Sequence, residues 1–331
     1  MLAALARRVL LPLGHAAEAG LERIGRRPAS PPVLDPYSGY ATPTGWILRA
    51  RVLTHLRRAE PRPGQSRWTN VKQMASLFVT DEVAGVPVTA AGVTGTSDPE
   101  GYVDLTVPPQ DADGAWAEVA LAIEGGDAAS CPVRLIGSDA GRVVISDIDD
   151  TMMVTGAHSL ARNLWTTFTG TAATRAVYPD AVRLMARLSD GDRHPIFYVS
   201  SSPWNLHHFL ESIFAANDLP RGPKFLRDLG ITEHGVGQTH LGHKGAAIDR
   251  ILAAVPDLPV YLLGDTGQKD ARVYLEAARR HPGRVRGVCL REPAPGVSSD
   301  DEDLIAELEA EGIAVHHGQS FDGAAGAWGI A

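Results

Sequence analysis

Four short tracts hold the side chains most able to do chemistry. In the first, Val143-Val144-Ile145-Ser146-Asp147-Ile148-Asp149-Asp150-Thr151, an apolar run empties into three carboxylates. Asp147 and Asp149 are alternate residues, so on an extended segment their side chains share a face unless a loop bend re-aims one of them. Two close anions need a cation or a shared proton, since mutual repulsion raises one pKa. Hard oxygen ligands of this kind suit Mg²⁺. Taken alone, the three acids fit a solvated loop as well as a metal site.

The second tract, Tyr198-Val199-Ser200-Ser201-Ser202-Pro203, brings its first hydroxyl, Ser200, directly after an apolar run and before an expected helix. A hydroxyl beside free backbone N–H groups at a helix start makes an anion site, although serine turns more often serve only as caps. In the third, His243-Lys244 opens a helix expected over 243–254, with Ile248, Ile251 and Leu252 as its apolar face. A lysine in a first turn opposes the helix dipole, which suggests that the charge serves another purpose. In the fourth, Tyr261-Leu262-Leu263-Gly264-Asp265-Thr266-Gly267-Gln268-Lys269-Asp270, two acids flank a tight turn that Gly264 and Gly267 permit.

The elements that must position these tracts follow from apolar patterning. Residues 143–146, 195–199, 260–263 and 285–290 are short continuous apolar runs without alternation, as expected for a parallel sheet covered by helices on both faces. Helices are expected at 158–168, 179–189, 203–216, 243–254 and 268–281. In such sheets a site forms beyond the carboxyl ends of the strands, where all four tracts fall. Upstream, 47–53, 86–93, 102–107 and 116–123 are β-rich runs separated by Gly, Pro, Asp and Ser, the pattern of an antiparallel β-sandwich. Residues 86–107 resemble transthyretin-like or Ig-like accessory modules, which predicts no chemistry.

Composition bounds the rest. A chain of 331 residues, 44% hydrophobic and 21% charged, can bury a sizeable core and is too long for one small domain. Cys131 and Cys289 stand far apart without a CxxC or a histidine partner, so neither a disulfide framework nor a zinc site is signalled. A reducing compartment, and a cytoplasmic location, fit best. The formal charge of −8 is uneven, because arginines gather at the N-terminal side (Arg7, Arg8, Arg23, Arg26, Arg27) and the main body is acidic. Without a basic stripe in that body, nucleic acid is not an expected partner. No apolar run reaches the length of a membrane span.

The first residues admit three readings. Arg7-Arg8 before Val9-Leu10-Leu11 resembles a twin-arginine export signal, but the apolar stretch is short and is broken by Pro12. Leu2, Leu5, Val9, Leu10 and Leu13 could instead face a membrane surface from an interfacial helix, or pack on the protein. The prolines of 27–33 read as a linker.

DxDxT, then a hydroxyl, then a lysine, then GDxxxxD, in this order at strand ends and helix starts, is a specific combination. It resembles the haloacid-dehalogenase superfamily of phosphotransferases over roughly residues 140–290. Within that span Ser146 to Thr151, Tyr198 to Leu206, Leu219 to Asp228, His243-Lys244 and Leu263 to Asp270 look closely like the catalytic domain of the actin-patch-type phosphatidate phosphatases, relatives of the lipins. The resemblance implies an α/β fold, a doubly wound parallel sheet with a short cap, preceded by a smaller β-sandwich. The corresponding boundaries are 1–33 for a helical segment and linker, 34–138 for the sandwich, 139–318 for the phosphatase domain and 319–331 for a flexible tail.

The same resemblance implies roles. Asp147 attacks phosphorus and becomes an aspartyl phosphate, which divides one displacement into two, while Asp149 acts as general acid and base. Mg²⁺ is held by Asp147, the backbone carbonyl of Asp149 and Asp265, with Asp270 either a further ligand or placed behind them. Ser200, Ser201, Lys244 and Arg227 contact the phosphoryl group, Arg227 having the equally weighted alternative of pairing with Asp228. Thr151 orders the loop, and Asp150 is not required by the pattern. Trp165, Phe168 and Tyr178 border an acyl chain or are helix core. The implied substrate is phosphatidate at a membrane surface, met through peripheral contact. A phosphatase of soluble esters or phosphoproteins, a mutase or phosphotransferase, and a non-catalytic phosphatidate-binding module are the alternatives, and the presence of both Asp147 and Asp149 argues against the last.

Overall fold

The computed structural model describes residues 31–56, 82–155, 177–227, 240–292 and 297–330. The arginine-rich start, the helix expected at 158–168 with Trp165 and Phe168, and Asp228 lie outside the described residues. Two sheets organise the chain. The first contains β1 (Val33–Pro36), β2 (Gly39–Thr42), β3 (Gly45–Leu53), β4 (Pro87–Ala90), β5 (Val93–Thr96), β6 (Tyr102–Val107), β7 (Trp116–Ile123) and β8 (Ala129–Arg134). Their order is β1-β3-β2-β8-β7-β4-β5, with β6 paired to β3. The sheet curls until β5 meets β6, where a side chain added at Gly95 would run into Leu105 and Val103. Alternation explains the curl's dry interior: Val103, Leu105 and Val107 of β6 and Val119, Leu121 and Ile123 of β7 all point into one core. The run expected as one strand at 86–93 is a hairpin, because Ala91 and Gly92 turn the chain with positive φ.

The second sheet is parallel throughout. Its strands are β9 (Val143–Ser146), β10 (Ile196–Pro203), β11 (Lys224–Arg227), β12 (Val260–Asp265), β13 (Val285–Arg291) and β14 (Ala314–Gly318), in the order β11-β10-β9-β12-β13-β14. β9 is central and wholly buried. Val144 feeds the core on one face, while Val143 and Ile145 feed the core on the other, which is why its sequence shows no polar alternation. Each fully buried Val or Ile contributes about 1.5–3 kcal/mol of hydrophobic stabilisation.

Helices cover both faces. On one lie α1 (Pro179–Ser189) and α2 (His207–Ala216); on the other lie α3 (His240–Ala254), α4 (Asp270–Arg280) and α5 (Ser299–Ala310). α1 starts with Pro at its first position, buries Ala181, Leu184, Met185 and Leu188 at helical spacing, and stops at Asp190 in the left-handed conformation. α5 is capped by Ser298, whose hydroxyl accepts the Asp301 N–H, and carries Asp300, Asp301 and Glu302 at its positive end.

Two expectations change here. The last residues, expected to be a flexible tail, pack on the first face through α6 (Ala324–Ala327), Phe321 and Ile330. Their glycines and alanines surround aromatic anchors: Trp328 donates its indole N–H to the Ala314 carbonyl at 2.9 Å and stacks near Tyr261, and Arg187 reaches the Ile330 carbonyl at 2.8 Å. Second, Tyr37 and Tyr102 of the first sheet enter one core of the parallel sheet and Tyr40 enters the other. Buried Arg134 also ties the sheets together, donating to the carbonyls of Ala115, Leu135 and Asp192.

Candidate active site

The carboxyl ends of β9, β10 and β12, with the starts of α3 and α4, converge on one buried cluster of charge. β9 delivers Asp147, whose N–H is fixed on the Leu263 carbonyl of β12 at 2.8 Å. The chain then turns sharply. Asp150 adopts the left-handed conformation with φ 57°, a conformation that Asp tolerates better than most side chains, and its carboxylate accepts the Thr155 N–H and hydroxyl at 2.8 and 3.0 Å. The pattern of the implied family did not require Asp150, yet here it closes the loop. Thr151 donates to Asp147 Oδ2 at 3.2 Å, in keeping with its expected ordering role. Ile148, Met152 and Met153 plug the loop into the core beneath. Behind it, buried Arg291 of β13 donates to the carbonyls of Thr151 and Gln319 and to Asp180, while its guanidinium lies 3.8 Å from the Tyr178 ring centroid and 4.1 Å from that of Phe321. Tyr178 is thus half-buried, packed between Arg291 and the edge of the core.

Lys244 stands at the centre. Its ammonium is 2.7 Å from Asp147 Oδ1 and 2.6 Å from Asp270 Oδ1, with all three side chains at most 2% exposed. The helix that carries it is described from His240, one turn earlier than expected, so Lys244 lies beyond the first turn and the dipole argument made from its sequence position does not apply. What holds the charge is the pair of carboxylates. Asp270, first residue of α4, also accepts the Asp265 N–H at 3.2 Å. The turn between them fits only because Gly264 lacks a side chain: a Cβ there would sit 2.6 Å from Asp270 Oδ2 and 2.7 Å from the Tyr274 hydroxyl. Gln268 donates one amide nitrogen to both the Asp149 carbonyl, at 2.8 Å, and Asp265 Oδ2, at 3.1 Å.

The electrostatics follow from the count of charges. Asp147, Asp265 and Asp270 can each offer an oxygen to one point, the three atoms lying within 4.8 Å of one another. Three buried acids face one lysine, and Asp265 Oδ1 has no hydrogen-bond partner among the described residues. Burial, with the neighbouring Asp270 and Asp149 and against the pull of Lys244, pushes Asp147 up to about 8. Burial, with the neighbouring Asp270 and Asp147 and against the pull of Lys244, holds Asp265 well above the ordinary carboxylate range. For Lys244 burial works against the charge, but Asp147 and Asp270 more than offset it and its pKa is raised. The two partners therefore point in opposite senses. The excess of acids over lysine resolves this: Lys244 stays protonated, and the uncompensated negative charge raises the aspartates. A dication is the charge that this cluster lacks, and the oxygen-only donor set suits a hard one.

β10 contributes the third part. Ser200 and Ser202 both donate to Asp149 Oδ2 at 2.8 Å, and the Ser202 N–H is 2.9 Å from Ser200 Oγ. Period-two alternation of the strand puts these two serines on one face and Ser201 on the other. Ser202 was not anticipated as a site residue, although continuing the strand one turn of the pleat past Val199 identifies it. Arg227, at the end of edge strand β11 and in register with Pro203, is not brought into contact with the acids. Asp147, Asp149, Ser200, Lys244, Asp265 and Asp270 are brought together; Arg227 is not.

Residues 142–292 match the family model described as "Phosphatidate phosphatase APP1, catalytic domain". An uncharacterized protein of Schizosaccharomyces pombe is 27% identical over 156 residues, 46% of this chain and 25% of that protein. Phosphatidate phosphatase APP1 of Saccharomyces cerevisiae is 29% identical over 179 residues, 52% of this chain and 30% of that protein. The chain thus spans only about a quarter to a third of the length of the curated relatives it matches. One solved structure, of a Pnkp1/Rnl/Hen1 complex, is similar at TM-score 0.30 and 10% identity, covering 57% of this chain and 54% of that chain, a likeness too slight to define the fold. Residues 142–292, the segment similar to the APP1 phosphatidate phosphatase catalytic domain, hold every group of the cluster just described.

Proposed function

We propose that this chain is a Mg²⁺-dependent phosphatidate phosphatase, with a haloacid-dehalogenase-like catalytic unit, acting at a membrane surface from the cytoplasm. The observation that carries the reading is the convergence of Asp147, Lys244, Asp265 and Asp270 on one buried point, with Asp149 tied to it through Gln268, inside the segment that matches the family. Unaided phosphate monoester hydrolysis is among the slowest of biological reactions, so positioning and charge neutralisation must supply almost all of the acceleration.

Asp147 is the nucleophile. Lys244 holds its Oδ1 and Thr151 its Oδ2, so the carboxylate is fixed in rotation before substrate arrives. Its attack on phosphorus forms an aspartyl phosphate and expels the alcohol of the lipid. Asp149 gives that alkoxide its proton, then takes one from the water that hydrolyses the intermediate. Ser200 and Ser202 hold Asp149 for this exchange, and one of them is free to turn its hydroxyl to a phosphoryl oxygen. Asp147, Asp265, Asp270 and the Asp149 carbonyl would hold the cation, which would neutralise the phosphate and the acids around it. No described helix is long and apolar enough to cross a membrane.

Purified protein is tested for phosphate release from phosphatidate vesicles and from soluble monoesters, with and without Mg²⁺. Release from vesicles, dependent on Mg²⁺ and lost in Asp147→Asn, supports the proposal. Turnover of soluble esters alone would overturn the lipid assignment, and binding of vesicles without release would favour a binding module.

A further inference from the structure

The segment that holds Asp149 does not end at the serines. Pro203 follows, at φ −73°, then Trp204, which is only 5% exposed. The Trp204 indole N–H has no hydrogen-bond acceptor among the described residues, so core packing and ring contacts, His207 of α2 among them at 5.9 Å, set the orientation of the ring. The other ring contacts come from the first sheet and the turn between β1 and β2. The rings of Tyr37 and Trp204 lie 4.6 Å apart. The Arg49 guanidinium is 4.7 Å from the Trp204 centroid and 4.7 Å from that of Tyr102, a cation between two aromatic faces. Arg51 covers Tyr102 in turn at 4.6 Å. A continuous stack therefore runs from β3 and β6 to the residue two positions beyond Ser202.

We infer that the first sheet is a positioning element of the site: Tyr37 and Arg49 fix Trp204, and through the stiff Pro203 they set the hydroxyls of Ser202 and Ser200 against Asp149. Cation–π and ring contacts are directional and short-ranged, and a proline between anchor and serine leaves little backbone freedom to absorb a shift. Misplacement of a catalytic group by about 1 Å can cost on the order of 100-fold in rate. Tyr37 and Arg49 touch neither the acids nor the substrate, and they act through Trp204. The inference rests on the proposed role of Asp149 and assigns to the upstream sheet a part in it.

The experiment compares wild type, Tyr37→Leu, Arg49→Gln and Arg49→Lys in the full chain. With Mg²⁺ and phosphatidate vesicles, Tyr37→Leu and Arg49→Gln are expected to lower kcat about 10-fold with KM within about two-fold, and Arg49→Lys, which keeps a cation over the ring, is expected to recover most of the loss. Hydrogen exchange across 199–206 should quicken in Arg49→Gln and not in Arg49→Lys. The Mg²⁺-induced rise in Tm should be the same in all four, since the acid triad is untouched. Unchanged kcat and unchanged exchange in Arg49→Gln would overturn the inference, as would equal losses in Arg49→Gln and Arg49→Lys or a lost Mg²⁺ response. If wild type releases no phosphate, the proposed function fails, and the exchange of 199–206 in Arg49→Gln then decides the positioning role alone: faster exchange upholds it and unchanged exchange overturns it.

Discussion

The Lys244 ammonium lies 2.7 Å from Asp147 Oδ1 in a site closed to solvent, and the same nitrogen serves Asp270. Replacing it with an apolar side chain leaves buried acids with no internal counter-charge. Lys244→Met is expected to lose about 3–5 kcal/mol of stability in urea unfolding without metal, the cost of breaking a buried pair. Phosphate release should drop by on the order of 100-fold, as when a charge-stabilising group is removed. A variant of unchanged stability would show that the pair is not what balances the cluster.

Stability should also depend on pH in a direction opposite to that of most proteins near neutrality. Unfolded, Asp147 and Asp265 titrate near the usual carboxylate value of about 3.9. Folded and metal-free, Asp147 keeps its proton until about 8 and Asp265 is likewise raised. Between those values the folded state binds more protons, so raising the pH disfavours folding. Lys244 stays charged across this range and does not alter the slope. Metal-free protein should melt on the order of 5 °C lower at pH 8 than at pH 5, given about 2–4 °C per kcal/mol for a chain of this size. Added Mg²⁺ should raise Tm more at pH 8. Thermal scans in chelator and in Mg²⁺ at both pH values make the comparison.

Asp149 Oδ2 accepts two hydroxyls, from Ser200, which was expected on the phosphoryl group, and from Ser202, which was not expected in the site. Ser202→Ala should lower kcat on the order of 10-fold, from loss of one hydrogen bond to a charged group, and the Ser200→Ala/Ser202→Ala double variant should lose more than either single change. Steady-state kinetics on the three proteins would test this, and a fully active Ser202→Ala would remove Ser202 from the site.

Gly264 provides a test confined to the acids. A Cβ there would press on Asp270 and on Tyr274, whose hydroxyl is anchored to the Leu263 carbonyl at 2.7 Å. Gly264→Ala should weaken Mg²⁺ binding at least 10-fold, measured by calorimetry, with overpacking costing about 1–3 kcal/mol of stability. Unaltered Mg²⁺ affinity would separate this turn from the cation.

Much of the site was legible because each strand advertises its end: β9, β10 and β12 are apolar runs that stop at Asp147, Ser200 and Asp265. Helices α1 and α4 were legible through the spacing of their apolar residues. What was hidden depends on neighbours distant in sequence. β11 and β14 are edge strands of four and five residues, too short to stand out from loops. β1 and β2 lie ahead of the first β-rich run read at 47–53, among prolines and glycines that break any apolar pattern. Ser202 looked like part of a turn because its role comes from β10 extending past the apolar run. The C-terminal residues looked featureless because Phe321 and Trp328 are embedded in glycine and alanine, and only the packed chain shows what they grip.

Arg291 holds the turn after Asp147 by the Thr151 carbonyl, and is itself held by Gln319 and Asp180. These partners are spread over 168 positions of the chain (Gln319 less Thr151). During synthesis the first motif emerges long before the carbonyl that secures its clasp. The nascent chain can therefore build its central strands early, but the motif's turn cannot reach its final setting until residue 319 has cleared the ribosome. Maturation of the site therefore waits on residues well downstream of its acids, and a chain that stalls before residue 319 would carry every acidic residue of the cluster without the bracket that aligns their turn.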